Sequence, residues 1–81
     1  MTYDSAVTGQ VIRTMRKKRG MSQEVLSGLA GIARSHLAMI ENGTKNANMD
    51  TLWRIADALE IPTSQLIQKV EAQLGDAEKF A

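Results

Sequence analysis

The sequence predicts an all-α chain of five helices. Nowhere do apolar and polar residues alternate with period two. Apolar residues instead recur at helical offsets over 23–42 and again from Leu66 to Leu74, and capping residues and glycines divide the chain into five segments. The first helix is expected over residues 5–19 and stops at Gly20, a residue suited to the left-handed position after a helix. Ser22 then caps residues 23–30, and Gly31 breaks the chain. A third helix covers residues 33–41 and is ended by Asn42 and Gly43. After a polar loop over 44–48, Asn48 caps residues 49–59. Pro62 and Thr63 open the last helix, which is expected to run to Leu74 and to end at Gly75. Residues 1–75 thus read as one domain, with 76–81 as a short frayed tail.

Composition narrows the function before any motif is considered. An 81-residue chain is one domain, and folding at this size removes only about 60% of its unfolded surface from water. With no cysteine and a single histidine, neither a disulfide framework nor a multi-ligand metal centre can form, and no cofactor is expected. Apolar runs are too short to span a membrane and no leader pattern opens the chain, so the expected setting is the reducing cytoplasm. No nucleophile, base and orienting group are spaced together, and no phosphate-cradling glycine loop occurs, which argues against an enzyme.

The net charge of +1 hides a polarity. Residues 1–45 carry seven basic side chains against three acidic ones, whereas residues 46–81 carry three against six. A basic half of a nearly neutral protein can draw a polyanion to one face. Part of that charge, Lys17 to Arg19, also suits the C-terminal end of a helix dipole.

The densest pattern lies in residues 23–42. Leu26, Ala30, Ile32, Leu37 and Ile40 place one apolar stripe on each of two short helices that face each other across a sharp turn at Gly31. Ser27 is small where the second of these helices passes closely. Together these residues describe a helix-turn-helix.

The same stretch resembles the Cro/CI-type helix-turn-helix repressors of phages and bacteria. The resemblance rests on Gly9, Ile12-Arg13, Met15-Arg16, the run from Arg19 to Glu24, Leu26, the run from Leu29 to Ile32, Leu37, the run from Ile40 to Gly43, and the later residues Asp50-Thr51-Leu52, Arg54-Ile55-Ala56, Ala58-Leu59 and Ile61-Pro62. It covers about residues 8–68. It implies a compact five-helix, lambda repressor-like DNA-binding domain that binds double-stranded DNA, usually as a homodimer. Three positions depart from the pattern: Thr8 replaces a usual aliphatic residue, Ala33 a usual capping Ser or Thr, and Ala47 a usual Pro.

At 100° per residue along the third helix, Ala33, Leu37 and Ile40 fall toward one side, and Arg34, Ser35, Ala38, Met39 and Asn42 fall opposite. Arg34 offers a planar fork for two guanine acceptors, Ser35 can donate or accept, and Met39 can pack on a thymine methyl. The resemblance implies that these three read bases. His36 lies between the faces and is read as a phosphate or flank contact. Ser22 and Gln23 begin the second helix, where free amides and the helix dipole can hold a phosphate, and Gln23 can also brace the third helix. Asn42, Thr44 and Lys45 form a donor-rich loop suited to the sugar-phosphate backbone, and Arg13 and Lys17 add long-range attraction. Arg16, on the side of Ile12 and Met15, needs a carboxylate partner, and the resemblance implies Glu41.

Leu66, Ile67, Val70 and Leu74 form a stripe that one small domain is not expected to cover. Ile67, Val70 and Leu74 are therefore expected to form a symmetric dimer interface, with Trp53 at its edge. The leading function is a sequence-specific transcriptional regulator, most simply a repressor at an inverted-repeat operator. The alternatives are an antitoxin or other partner-binding subunit that also binds its own promoter, and a restriction-modification controller.

Overall fold

The structure, a computed structural model, describes residues 2–79. Its elements are α1 (Ser5–Lys18), α2 (Gln23–Ala30), α3 (Arg34–Glu41), α4 (Met49–Ala58) and α5 (Thr63–Lys79), with no strand among the described residues. Side-chain caps start three of them: Asp4 accepts from the Ala6 amide at 2.9 Å, Ser22 from the Val25 amide at 3.1 Å and Asn48 from the Thr51 amide at 2.8 Å. At the head of α3, Ala33 has no side-chain oxygen to do the same.

The ends of α1 to α4 share one closure. In each, an amide just past the helix bonds back to a carbonyl five residues earlier: Met21 to Arg16, Ile32 to Ser27, Thr44 to Met39 and Ile61 to Ala56, all at 3.0–3.1 Å. This closure requires a left-handed residue before the returning amide, and glycine supplies it at the turn between α2 and α3, where Gly31 has φ 70°. After α4 the position falls to Glu60, with φ 60°, at a steric cost of roughly 1–2 kcal/mol that the closing bonds offset.

The expected stop at Gly75 does not occur: α5 continues through it to Lys79. A glycine in a helix interior is worse than alanine by only about 1 kcal/mol, which does not by itself end a helix. Past Gly20, Gly31 and Glu60, the returning residues Met21, Ile32 and Ile61 pack partly buried against the core and anchor the turn. The expected tail is thus helical over 76–79, and residues 80 and 81 lie outside the described residues.

All five helices feed one core. Ile12, Leu26, Leu37, Ile40, Ile55, Leu59 and Leu66 are fully buried, joined by Val11, Ala30, Ala56, Val70 and Leu74. Helix α1 packs on α3 and α5, α2 on α3 and α4, and α4 on α5. Where α1 crosses α3, a Cβ built on Gly9 would lie against the backbone carbonyls of Ile40 and Glu41, the latter oxygen at 2.5 Å. Only a residue without a side chain permits that approach, and it fixes how far α3 stands from the rest of the domain.

The burial of α5 corrects one expectation. Leu74 and Val70, both expected in a dimer interface, are buried within the chain's own core. Helix α5 lies against α1, and these two side chains close that side of the core. Ile67 alone of the three remains partly exposed.

Candidate nucleic-acid interface

Helix α3 is eight residues long, or about 12 Å. It buries Leu37, Ile40 and Glu41 and leaves Arg34, Ser35 and Met39 exposed, with Met39 39% accessible. Ala38 is half-buried on the same outer face and Asn42 follows it, exposed, at the C-terminal end. Ala33, expected on the inner side, is exposed instead, because it is the cap residue and precedes the first helical turn.

A buried polar network fixes the orientation of this face. The Arg16 guanidinium donates from Nε to Glu41 Oε2 at 2.7 Å and from Nη2 to Glu41 Oε1 at 2.9 Å, and its Nη1 donates to the Met21 carbonyl at 2.8 Å. Gln23 Nε2 donates to the same Glu41 Oε1 at 3.1 Å. Side-chain accessibility is only 9% for Arg16 and 3% for Glu41. The bidentate bond to Glu41 raises the Arg16 pKa above its ordinary value, against the opposing effect of burial, so the guanidinium stays charged in its buried position. One carboxylate therefore ties α1, the start of α2 and the end of α3 together. The Met21 carbonyl, which completes the fork of Arg16, has no signature in the sequence, because any residue can supply a backbone oxygen.

The segment after α3 is pinned as tightly. The Met39 carbonyl accepts from the amides of Thr44 at 3.0 Å and Lys45 at 3.2 Å. Asn42 Oδ1 accepts from the Thr44 amide at 3.0 Å and from Thr44 Oγ1 at 2.7 Å. On the far side, Ser5 Oγ donates to the Gly43 carbonyl at 3.0 Å, which fastens the loop to α1. Asn42, Thr44 and Lys45 are exposed on this rigid loop, and Lys45 has no partner among the described residues.

At the other end of α3, Arg34 lines an open concavity of about 620 Å³ together with Arg16, Ser22, Gln23 and Glu24. Arg34 makes no ion pair or hydrogen bond with any described residue, so its fork is free. Ser22 is exposed at the head of α2, while Gln23 is half-buried by its bond to Glu41. His36 is half-buried on α3, between the inner and outer faces. Arg13 and Lys17 are exposed on α1. The structure thus leaves Arg34, Ser35 and Met39 on α3, Ser22 before α2, and Asn42, Thr44 and Lys45 after α3 accessible, brings Ser22, Gln23 and Arg34 around one concavity, and half-buries Gln23 and His36. No group of three or more metal-ligating side chains occurs among the described residues, and no helix among them is long and apolar enough to cross a membrane.

An eight-residue helix held by its inner face, with a free arginine at its head and a donor loop at its foot, is the outer half of a helix-turn-helix. The family model for the helix-turn-helix matches residues 12–66, the span from the core of α1 to the first turn of α5. The chain belongs to the Cro/CI-type helix-turn-helix family. That family consists of DNA-binding regulators, not enzymes. The chain is 39% identical over 59 residues to the immunity repressor protein of Bacillus phage phi105, a match covering 73% of this chain and 41% of that protein. It is 35% identical over 60 residues to the control protein C.BamHI of Bacillus amyloliquefaciens, covering 73% of this chain and 74% of the relative. Among solved structures, the restriction-modification controller protein C.AhdI from Aeromonas hydrophila superposes with a TM-score of 0.75 at 34% identity, covering 76% of this chain and 94% of that one. Against the phage repressor and two transcriptional regulators, from Sinorhizobium fredii and Escherichia coli, the match spans only 31–41% of their lengths.

Proposed function

We propose that the chain is a cytoplasmic, sequence-specific transcriptional regulator that inserts α3 into the major groove of double-stranded DNA and binds an inverted-repeat operator as a homodimer. The observation that carries the reading is the free Arg34 fork standing on a helix whose opposite face is locked by the Arg16–Glu41 pair. Arg34, Ser35 and Met39 are assigned to base edges, and Ser22, Gln23, His36, Asn42, Thr44 and Lys45 to the backbone. Phosphate contacts position the protein and base contacts specify the sequence. The partly exposed Ile67 lies beside Met49 and Trp53, which are 55% and 57% accessible, around an open concavity of about 370 Å³. This α4–α5 face is assigned to the twofold interface, which would set two α3 helices about 34 Å apart, one turn of duplex.

Within this reading, control of a restriction-modification operon is favoured over phage immunity by coverage. The matches span 74% and 94% of the control proteins, against 41% of the phage repressor. None of these relatives is named for binding a toxin, and a toxin partner forms no part of the proposal.

Selection of bound sites from random duplexes tests the function directly, with enrichment of one twofold-symmetric motif as the expected result. Lys45→Ala should weaken binding to all duplexes alike and lower the salt dependence by about one counterion. Recovery of no preferred sequence would remove the proposal.

A further inference from the structure

The outer face of α3 is chemically divided, and the division follows from the hydrogen bonds at its foot. A carboxamide oxygen has two acceptor sites; on Asn42 Oδ1 one accepts the Thr44 amide at 3.0 Å and the other faces the Thr44 hydroxyl at 2.7 Å, nearer to that single proton than the Met39 carbonyl at 3.2 Å. Asn42 therefore faces outward only as an N–H donor and cannot form the donor-and-acceptor pair with which asparagine reads adenine. Glu41, the nearest carboxylate on the helix, is buried and occupied by Arg16 and Gln23. The next residues on the outer face, Ala38 and Met39, have no strong polar atom in their side chains. Ser35, in the first turn, is then the one strong hydrogen-bond acceptor on that face, while the last turn offers a methyl, a thioether and a donor.

The last turn is therefore blind to the amino groups of adenine and cytosine but complementary to one major-groove feature, the methyl on pyrimidine C5. The Met39 backbone is held by two amides of the following loop, so its side chain projects from a fixed point. Resting on the DNA-binding reading above, we infer that Ala38 and Met39 read the C5-methyl group itself and not the base that bears it. Thymine and 5-methylcytosine carry that group at the same carbon. The C-terminal half of α3 accepts either and discriminates against uracil and unmodified cytosine, so the affinity of this protein for its operator responds to cytosine C5 methylation at that step.

The test begins from an enriched duplex, at the thymine whose preference Met39→Ala abolishes. Four duplexes differing only there, with T:A, U:A, 5-methyl-C:G and C:G, are titrated by fluorescence anisotropy. In the native protein the two methylated pairs should bind within twofold of each other, and the two unmethylated pairs about fourfold more weakly, the worth of one buried methyl group. In Met39→Ala, which alters an exposed side chain and leaves the core intact, all four should fall within twofold. Equal binding of thymine and uracil by the native protein at every thymine of the enriched site would overturn the inference while leaving DNA recognition standing, as would an enriched site lacking thymine beneath α3. If no duplex is enriched at all, the functional reading fails and this inference fails with it.

Discussion

Replacing Glu41 with alanine removes the group on which three elements converge. It takes away two charge-assisted bonds from Arg16 and one bond from Gln23, and leaves the Arg16 guanidinium with the Met21 carbonyl and little access to water. Breaking a buried pair by removing one partner costs about 3–5 kcal/mol. The lower end applies here, because the Met21 bond persists and Arg16 is 9% accessible, so the expected loss is about 3 kcal/mol. For a domain of this size that is a fall in Tm of roughly 12–24 °C, at about 4–8 °C per kcal/mol. Thermal melting by circular dichroism is the assay, and a double-mutant cycle separates pairing from packing. Arg16→Met alone should also destabilise, whereas Arg16→Met with Glu41→Leu should return to within about 1 kcal/mol of the native protein, because paired apolar replacements spare the desolvation of both ions. A single-variant loss below about 1 kcal/mol, or a double variant as unstable as the two losses summed, would refute the reasoning.

Three further outcomes follow from other parts of the fold. Gly9→Ala should lower stability by about 2 kcal/mol through its clash with the carbonyls of α3, while Gly28→Ala, with nothing within 4 Å of its new methyl, should gain about 1 kcal/mol; equal effects in denaturant titrations would contradict the close crossing of α1 and α3. Ala33→Ser should supply the cap that α3 lacks and raise stability by about 1 kcal/mol, visible as a higher Tm; an unchanged Tm would mean the first-turn amides of α3 have no use for it. Because Trp53 is the sole tryptophan and is 57% accessible in the single chain, its emission should shift to the blue as protein concentration rises through dimerisation; a constant spectrum together with a monomer in sedimentation at high concentration would exclude the α4–α5 face as the interface.

Much of this architecture was legible because local chemistry and tertiary packing agree. Ser22 and Asn48 are short polar residues just before apolar helical patterns, and both cap the helices they precede. Gly20, Gly31 and Gly43 stand where the chain reverses, and each adopts a positive φ. The misreadings came where one residue type serves two purposes. Gly75 looks like Gly20 in the sequence, but an interior glycine costs a helix only about 1 kcal/mol, and α5 runs on through it to Lys79. Val70 and Leu74 read as interface residues because helical periodicity gives direction around an axis and not the position of the neighbour; in the fold α5 packs on α1 and both side chains are buried. At the site, the outward set of α3 followed from periodicity, since Leu37 and Ile40 fix which side is inner. The locked state of Asn42 did not. It depends on a loop that folds back by two residues, and a polar side chain gives no sign in sequence of which of its atoms is already engaged.

The central claim, that the outer face of α3 enters the groove and reads bases, meets its most direct test in Arg34→Ala. Arg34 is exposed and unpaired among the described residues, so the variant should melt with the native protein. Its affinity ratio between the enriched duplex and a scrambled competitor, measured at one salt concentration, should fall by about tenfold or more, the worth of a bidentate contact to guanine. An unchanged ratio, with binding to both duplexes weakened equally, would show that Arg34 merely neutralises phosphate and that sequence is read elsewhere.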